Sequence, residues 1–230
     1  MINNNYKKIG LVVAMDKEII PFLNNLKATK NEISVANYKI INFSVNDKEI
    51  YLIKSGIGEI YASMATQLLI TKFGVELVLN FGVSGSLDEQ IGLLSTVFIK
   101  GVVHYDFDLS QIDDVKVGQY PGYDSPIISV ENDFYSKVVE KYTNIKRVIC
   151  ASADKFVADE KVKDYLNKTF NASVCDMECA GVLLACKNNN VPAFIIKSIS
   201  DGKGGAEEFN KRVKEASTVY LGIIKDILNI

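Results

Sequence analysis

The sequence predicts a single α/β domain in which a mixed central β-sheet is flanked by helices. Short runs rich in valine, isoleucine and leucine alternate with segments of helical periodicity through most of the 230 residues, a pattern typical of strands and helices in one α/β sheet. Near the start, two strand-like runs are separated only by a turn, which adds an antiparallel pair. No linker, repeat or low-complexity tract divides the chain, so residues 1–230 are expected to form one domain.

The first half of the chain begins with a buried strand and a helix. Residues 8–14 (KIGLVVA) are mostly apolar, as expected of a strand buried on both faces. Residues 15–26 follow as a helix with Pro21 near its first turn. The remaining predicted elements of this half are strands at 38–44 and 49–53 joined by Asn46-Asp47, a helix at 59–73 that offers Ile60, Met64, Leu68 and Ile70 for burial, and strands at 76–81 and 96–103.

The second half returns to strand–helix alternation after an irregular stretch. Residues 109–126 contain several glycines, prolines and aspartates, and a loop this long is typical of a lid, a binding loop or an interface element. Beyond it we predict helices at 131–142, 159–169, 178–188 and 206–228, and strands at 146–151, 172–175 and 192–200.

The composition excludes several classes of protein. A chain with 48% hydrophobic residues and this length can fold without disulfides or a metal. A net charge of −2 argues against nucleic acid as the main partner. No apolar signal core and no membrane-length apolar run occurs, so we expect a cytoplasmic protein that does not bind membranes. The four cysteines form no Cys-x-x-Cys pair and His104 is the only histidine, so buried thiols rather than a metal site are expected.

Candidate functional residues cluster at the ends of the predicted strands. Ligands of α/β sheets bind beyond the carboxyl ends of the strands, and glycine-rich turns there leave backbone N–H groups open to a ligand. The residues that follow the predicted strands are Met15 and Glu18, residues 55–58, residues 82–85, Asp154, Phe156 and Val157, Asp176, Met177 and Glu178, and Ser200 and Asp201.

Each of these residues has a simpler explanation when it is taken alone. Glu18, Asp176 and Glu178 suit helix N-termini, Ser200 and Asp201 suit a turn, and the apolar side chains suit a core. Taken together, they describe an acidic pocket with apolar walls and no basic residue. Carboxylates accept hydrogen bonds from sugar hydroxyls and stabilise an oxocarbenium-like cation, whereas a phosphate calls for arginine or lysine. The residues alone do not identify the ligand.

Eight segments in this order resemble those of the 5'-methylthioadenosine/S-adenosylhomocysteine nucleosidases, in the wider nucleoside phosphorylase family. They are IGLVVAMDKE (9–18), KSGIGEIYA (54–62), NFGVSGSL (80–87), HYDFD (104–108), GQYPG (118–122), SADKFV (152–157), DMECAG (176–181) and SISD, which ends at Asp201. The resemblance implies the nucleoside phosphorylase fold, no cofactor, and a purine nucleoside as substrate.

The resemblance also implies a separate role for each of the three acidic residues. Asp201 would protonate the purine at N7 as general acid, and Glu18 would position the attacking water. Glu178 would bind the ribose hydroxyls. Burial is expected to raise the pKa of Asp201 for its role.

The other implied contacts surround the substrate. Met177 would pack on the sugar, Phe156 on the purine, and the backbone of Val157 would read the purine edge; Met15 and Ile57 would line the sugar and 5'-substituent. Residues Val83, Ser84, Gly85, Asp176 and Ser200 complete the implied substrate-binding set. The loop with Tyr105 and Pro121 would reach the neighbouring site of a homodimer.

Several positions depart from the family pattern. Val83 replaces a serine that orients the catalytic aspartate in many nucleosidases, and Ser84 is expected to face the other side of its strand. Lys197 and Asp176 replace an arginine and a glutamate with their charges kept. The connection after Asp201 is short, which leaves Phe209 as the candidate for the aromatic that closes over the base.

The sequence favours hydrolysis over phosphorolysis. Phosphorylases of the family bind phosphate through arginines, typically from the N-terminal half, but Arg147 is the first arginine here, and Glu18 would repel phosphate. The alternatives are a hydrolase or phosphorylase of another nucleoside (futalosine-type or inosine), and a non-catalytic nucleoside-binding protein. A Rossmann dinucleotide enzyme is disfavoured because neither glycine-rich turn has the third glycine at the required spacing.

Overall fold

A ten-stranded mixed sheet runs through the protein, whose computed structural model describes residues 5–230. The strands are β1 (Lys8–Val13), β2 (Asn31–Val35), β3 (Tyr38–Val45), β4 (Lys48–Lys54), β5 (Leu77–Ser86), β6 (Thr96–His104), β7 (Ile127–Ser129), β8 (Lys146–Ser152), β9 (Ala172–Asp176) and β10 (Ala193–Asp201). The helices are α1 (Asp16–Asn24), α2 (Glu59–Phe73), α3 (Asp133–Lys141), α4 (Glu160–Phe170), α5 (Cys179–Asn188), α6 (Gly205–Val219) and α7 (Leu221–Leu228).

The strand pairing explains where a site can form. β1 pairs in parallel with both β4 and β5, while β2 and β3 continue the sheet as antiparallel strands. The pairings of β5, β10, β6, β8 and β9 form a closed ring. Within this ring, Gly85 at the end of β5 pairs with both Cys175 and Asp201. The ends of β5, β9 and β10 therefore meet at one point.

The predicted fold class, a single α/β domain with a mixed sheet between helices, is confirmed. Two short strands were missed: β2, which is half-exposed and partly polar, and β7, which has three residues. The segment after residue 81 continues as strand to Ser86 rather than turning. The last helix is two helices that meet at Tyr220, and Pro21 lies inside α1, beyond its first turn.

The buried face of α2 differs from the one predicted. Ile60 and Met64 are 68% and 52% exposed, whereas Ala62 and Ala65 are fully buried. The helix lies so close to β1 that a Cβ on Gly10 would come within 3.0 Å of Leu69. Small residues therefore face the sheet, and the larger apolar residues Ile60 and Met64 point outward.

The four cysteines are all buried and free. Of the helices within residues 5–230, none is both long and apolar enough to cross a membrane.

Candidate active site

A cavity of about 480 Å³ opens where the carboxyl ends of β5, β9 and β10 meet. Its lining residues are Met15, Lys17, Glu18, Ile57, Val83, Ser84, Gly85, Phe156, Cys175, Asp176, Met177, Glu178, Ser200, Asp201 and Phe209. The fold thus brings together in one cavity residues that come from seven separate stretches of the chain.

Asp201, the last residue of β10, is 2% exposed. Ser200 donates a hydrogen bond from Oγ to Asp201 Oδ1 at 2.7 Å, and the same hydroxyl lies 3.3 Å from the Ser84 carbonyl oxygen. Burial raises the pKa of Asp201, although the Ser200 hydrogen bond and the charge of Lys163 act against it. A raised pKa favours the protonated form that a general acid needs.

Asp201 has a hydrogen-bond partner even though residue 83 is a valine. Val83 packs against Val213 and Ala216 of α6, and Ser200 supplies the hydroxyl contact to the aspartate instead. Ser84, expected to face away, lines the cavity; its Oγ is buried without a hydrogen-bond partner within residues 5–230. A ligand group can therefore satisfy this hydroxyl.

Glu18 lies in the first turn of α1 with its carboxyl group held by two backbone amides. Val83 N–H donates to Oε1 at 2.8 Å, and Met15 N–H donates to Oε2 at 3.0 Å. A Cβ at Gly82 would come within 2.5 Å of Oε1, so any side chain there would displace the Glu18 carboxyl group. Burial raises the pKa of Glu18, and nearby Lys197 and the two amides oppose the rise.

Glu178 is the N-cap residue of α5 and faces the cavity beside Met177. Its Oε1 accepts a hydrogen bond from Gly58 N–H at 3.1 Å. Burial, followed by the negative charge of Asp176, raises the pKa of Glu178 to about 7. The backbone thus fixes one oxygen of a carboxyl group that borders the cavity.

A buried ion pair lies beneath these acids. Lys197 Nζ is 2.8 Å from Asp176 Oδ2, and both side chains are almost fully buried. Burial favours the neutral acid, but the charge and hydrogen bond of Lys197, together with hydrogen bonds from Cys179 and Ser152, lower the pKa of Asp176. Asp176 also lies close to the thiols of Cys150 and Cys179. Burial raises the pKa of Cys179 to about 11, and Lys197 already balances Asp176, so this group suits a hydrogen-bonded core better than a metal site.

The mouth of the cavity is apolar and more exposed. Phe156 is 42% exposed, and its ring lies edge-on to Phe209 with centroids 5.8 Å apart. Ile57 is 52% exposed. Lys17 Nζ lies 5.6 Å from the centre of the Phe209 ring. A cation at this distance over an aromatic ring is attracted to its face.

Two lining residues, Lys17 and Cys175, were absent from the predicted set. Lys17 corrects the expectation of a pocket without a basic residue. The signal was present, because Lys17 directly precedes Glu18 in the first strand-end segment.

Three predicted residues lie outside the cavity lining. The side chain of Val157 is buried in a small cluster with Val103 and Leu166, against which Tyr105 packs. Pro121 is exposed in the long loop. The predicted backbone role of Val157, and the predicted roles of Tyr105 and Pro121 in a neighbouring subunit's site, stay predictions.

Comparison with known proteins assigns the chain to a family. Residues 8–229 match the sequence model of the Phosphorylase superfamily. Aminodeoxyfutalosine nucleosidase of Campylobacter jejuni is 32% identical over 215 residues, which cover 88% of this chain and 89% of the relative. This chain belongs to the nucleosidases of the phosphorylase superfamily.

Other nucleosidases of the superfamily show similar agreement. The 5'-methylthioadenosine/S-adenosylhomocysteine nucleosidase of Staphylococcus haemolyticus is 30% identical over 229 residues, covering 94% of this chain and 99% of the relative. The crystal structure of the Helicobacter pylori enzyme of that name, complexed with an amino-pyrrolopyrimidine compound, superposes with a TM-score of 0.91 at 28% identity. The match covers 97% of this chain and 98% of that chain.

Proposed function

We propose that this protein hydrolyses the N-glycosidic bond of 5'-methylthioadenosine, S-adenosylhomocysteine or a related purine nucleoside, releasing adenine. The observation that carries the proposal is the convergence of Glu18, Glu178 and Asp201 on one cavity. All three carboxyl groups are buried and oriented by hydrogen bonds from the protein. Such a site suits a ribose ring that develops positive charge as its bond to the base breaks.

In the proposed reaction, Asp201 is the general acid. It transfers its proton to N7 of the purine while the C1'–N9 bond breaks and its electron pair moves into the base. Burial raises the pKa of Asp201, which favours its protonated form, and Ser200 holds Oδ1 in a fixed direction. Positioned proton transfer of this kind contributes about 10²–10⁴-fold to a rate.

Glu18 and Glu178 act on the sugar in this proposal. Glu18 accepts a hydrogen bond from a water molecule, takes its proton and directs the oxygen to C1'. The two backbone amides that bind Glu18 fix its orientation before the substrate arrives. Glu178 uses its remaining acceptor capacity for the ribose hydroxyls, since Gly58 N–H already occupies a position on Oε1.

The lining favours water over phosphate as the nucleophile. It contains no arginine, and Lys17 is its one basic side chain among residues 5–230. Lys17 stands at the exposed mouth, whereas Glu18 lies buried deeper in the cavity. A negative carboxylate at the position of the nucleophile repels a phosphate dianion.

Lys17 favours one group of substrates within this class. We propose that its ammonium group binds a carboxylate on the 5'-substituent of the nucleoside. S-adenosylhomocysteine and aminodeoxyfutalosine carry such a carboxylate, and methylthioadenosine does not. An aminodeoxyfutalosine nucleosidase is therefore the second candidate, and it agrees with the relative from Campylobacter jejuni.

The decisive experiment measures release of free base from a panel of nucleosides, with and without phosphate. We expect adenine from at least one 5'-substituted adenosine in phosphate-free buffer. A strict requirement for phosphate would refute hydrolysis, and binding without release from any nucleoside would support a non-catalytic nucleoside-binding protein.

We also propose that the protein is a cytoplasmic homodimer. Ile60, Tyr61 and Met64 form an exposed apolar face on α2 beside a cleft lined by His104 and Tyr120. A second subunit that covers this face would bring the loop of Tyr105 and Pro121 to the dimer interface. Sedimentation at micromolar concentration tests the dimer, and a monomer would refute it.

A further inference from the structure

We propose that Glu59 is a positioning residue that, as a neutral carboxylic acid, joins the start of α2 to the start of α5 and thereby holds Glu178 in place. Glu59 is 5% exposed and was not in the predicted site. Only the kinetic part of this proposal rests on the proposed function.

Two reciprocal contacts connect the helices. Glu178, the N-cap residue of α5, accepts a hydrogen bond from Gly58 N–H at the N-cap of α2. In return, Glu59, the first residue of α2, accepts a hydrogen bond on Oε2 from Gly181 N–H in the first turn of α5. Each helix therefore provides a carboxyl oxygen that accepts a hydrogen bond from an N–H group at the start of the other helix. Such N–H groups at a helix start have no partner within the helix to which they belong. We call Gly58, Glu59, Glu178 and Gly181 the α2–α5 junction.

The backbones at the α2–α5 junction are in direct contact. A Cβ on Gly181 would come within 2.2 Å of the Glu59 carbonyl oxygen. On the other side, Asp154 Oδ1 accepts a hydrogen bond from Glu59 N–H at 2.7 Å. Movement of Glu59 would therefore shift both Gly58 N–H and the turn that carries Glu178.

The protonation state of Glu59 follows from a count of hydrogen atoms at Ser152. The Ser152 hydroxyl lies 2.5 Å from Asp176 Oδ1 and in hydrogen-bond contact with Glu59 Oε1, and it accepts a hydrogen bond from Ala180 N–H at 3.2 Å. A hydroxyl group has one hydrogen to donate. Both carboxyl groups can bond to it only if one of them carries its own proton.

Glu59, rather than Asp176, carries this proton. Asp176 forms the ion pair with Lys197 and accepts a further hydrogen bond from Cys179 N–H at 3.3 Å, so its ionised form is stabilised. Glu59 has no such cation partner within residues 5–230; burial and the charge of Asp176 raise its pKa to about 8. The proton on Glu59 Oε1 is then donated to Ser152 Oγ, and Ser152 donates to Asp176.

Carboxyl groups outnumber cationic groups around Glu59. The titratable groups facing it are Asp176 of β9, Glu178 at the start of α5, Asp154 after β8, His104 of β6, and Tyr105 and Tyr120 of the following loop; behind Asp176 lie Cys150 of β8, Lys197 of β10 and Cys179 of α5. One lysine among several carboxyl groups cannot neutralise them all, which favours the protonated form of Glu59.

The test uses the full chain with Glu59→Gln, Glu59→Ala and, as a matched control, Glu32→Gln on an exposed surface of β2. A glutamine side chain copies a protonated glutamate, since its NH₂ group can donate to Ser152 and its oxygen can accept from Gly181. The folded pKa of Glu59 lies above its unfolded value, so its stabilising effect is present below the unfolded pKa and is lost as the pH rises through about 8.

The first measurement is the Tm of each variant from pH 5 to pH 9, which requires no substrate. We expect Glu59→Gln to match wild type at pH 5, to exceed it by a margin that grows up to about pH 8, and to keep that margin at pH 9. Glu32→Gln should show a constant difference, and Glu59→Ala should be destabilised throughout. A Glu59→Gln variant that is destabilised equally at every pH would overturn the proposal, because it would show that the ionised form is needed.

The second measurement is kcat and KM for base release by the same variants. We expect Glu59→Ala to raise KM about tenfold with a smaller change in kcat, and Glu59→Gln to keep kcat/KM within about threefold of wild type at pH 6.5. The wild-type loss of kcat/KM above pH 8 should be weaker in Glu59→Gln. An unchanged alkaline loss, or equal impairment of Glu59→Gln and Glu59→Ala, would refute the positioning role. Absence of any base release would refute the proposed function and leave the Tm test standing.

Discussion

The two ends of the cavity are built differently. At the inner end, Glu18, Glu178 and Asp201 are each at most 8% exposed, and each carboxyl group accepts a hydrogen bond from the protein. At the mouth, Ile57 and Phe156 are about half exposed, and Lys17 reaches over an aromatic ring without an ion pair among residues 5–230. The protein thus fixes the groups proposed for chemistry before substrate binds, while the exposed side chains proposed to contact the purine and the 5'-substituent remain adjustable.

The largest expected effect is at the inner end. Replacing Asp201 with Asn removes the proposed acid and should lower kcat by about 10²–10⁴-fold with little change in substrate affinity. Steady-state kinetics and equilibrium binding of the same nucleoside measure the two quantities. Asp164→Asn, at an exposed position on α4, is the control. Unchanged turnover in Asp201→Asn would contradict its role as the acid.

The second-largest expected effect is on stability, and it comes from the close packing of the α2–α5 junction. Gly181→Ala introduces a Cβ against the Glu59 carbonyl oxygen and should lower the free energy of unfolding by about 1–3 kcal/mol. Gly222→Ala, in α7, meets no atom within 4 Å and should be neutral or stabilising by up to about 1 kcal/mol. Chemical denaturation measures both variants. Equal stability of the two would show that the α2–α5 junction is not tightly packed.

The ionisation of Glu178 should be visible in the acidic part of the pH profile. Because its pKa is raised to about 7, its ionised fraction falls as the pH falls below that value. We expect wild-type kcat/KM to drop by roughly fivefold to tenfold between pH 7.5 and pH 6. Glu178→Gln should have a lower kcat/KM that changes less over this interval. A wild-type profile that is flat there would mean that Glu178 is already ionised at pH 6.

The smallest expected effect is at the mouth. Lys17→Met should lower kcat/KM for nucleosides with a 5'-carboxylate by about fivefold and leave methylthioadenosine nearly unchanged, as befits an exposed charge pair worth about 1 kcal/mol. Competition between the two substrates measures the ratio directly, and Lys187→Met serves as the control. Equal loss for both substrates would show that Lys17 does not read the 5'-substituent.

Much of the candidate site could be predicted from the sequence. Apolar runs mark the buried strands, and ligands of α/β sheets bind beyond the carboxyl ends of those strands. The runs at β1, β5 and β10 led to Glu18, Gly85 and Asp201, and the fold places all three at one cavity. The family resemblance then assigned them roles that the strand pattern alone does not contain.

Other features depend on contacts that the chain order does not contain. α2 is apolar on several sides, so its sequence does not reveal that Ala62 and Ala65 face the sheet while Ile60 faces outward. Glu59 looks like a common first-turn acid. Its partners, Ser152 and Gly181, lie about a hundred residues away in sequence and meet it only because α5 packs across the start of α2.

The reciprocal bonds at the α2–α5 junction also have a consequence for hydrogen exchange. The amide hydrogens of Gly58 and Gly181 are each bonded to a carboxyl group from the other helix, so neither can reach solvent without parting the two helix starts. They should therefore exchange with deuterium through one shared opening event and slow down together when a nucleoside occupies Glu178.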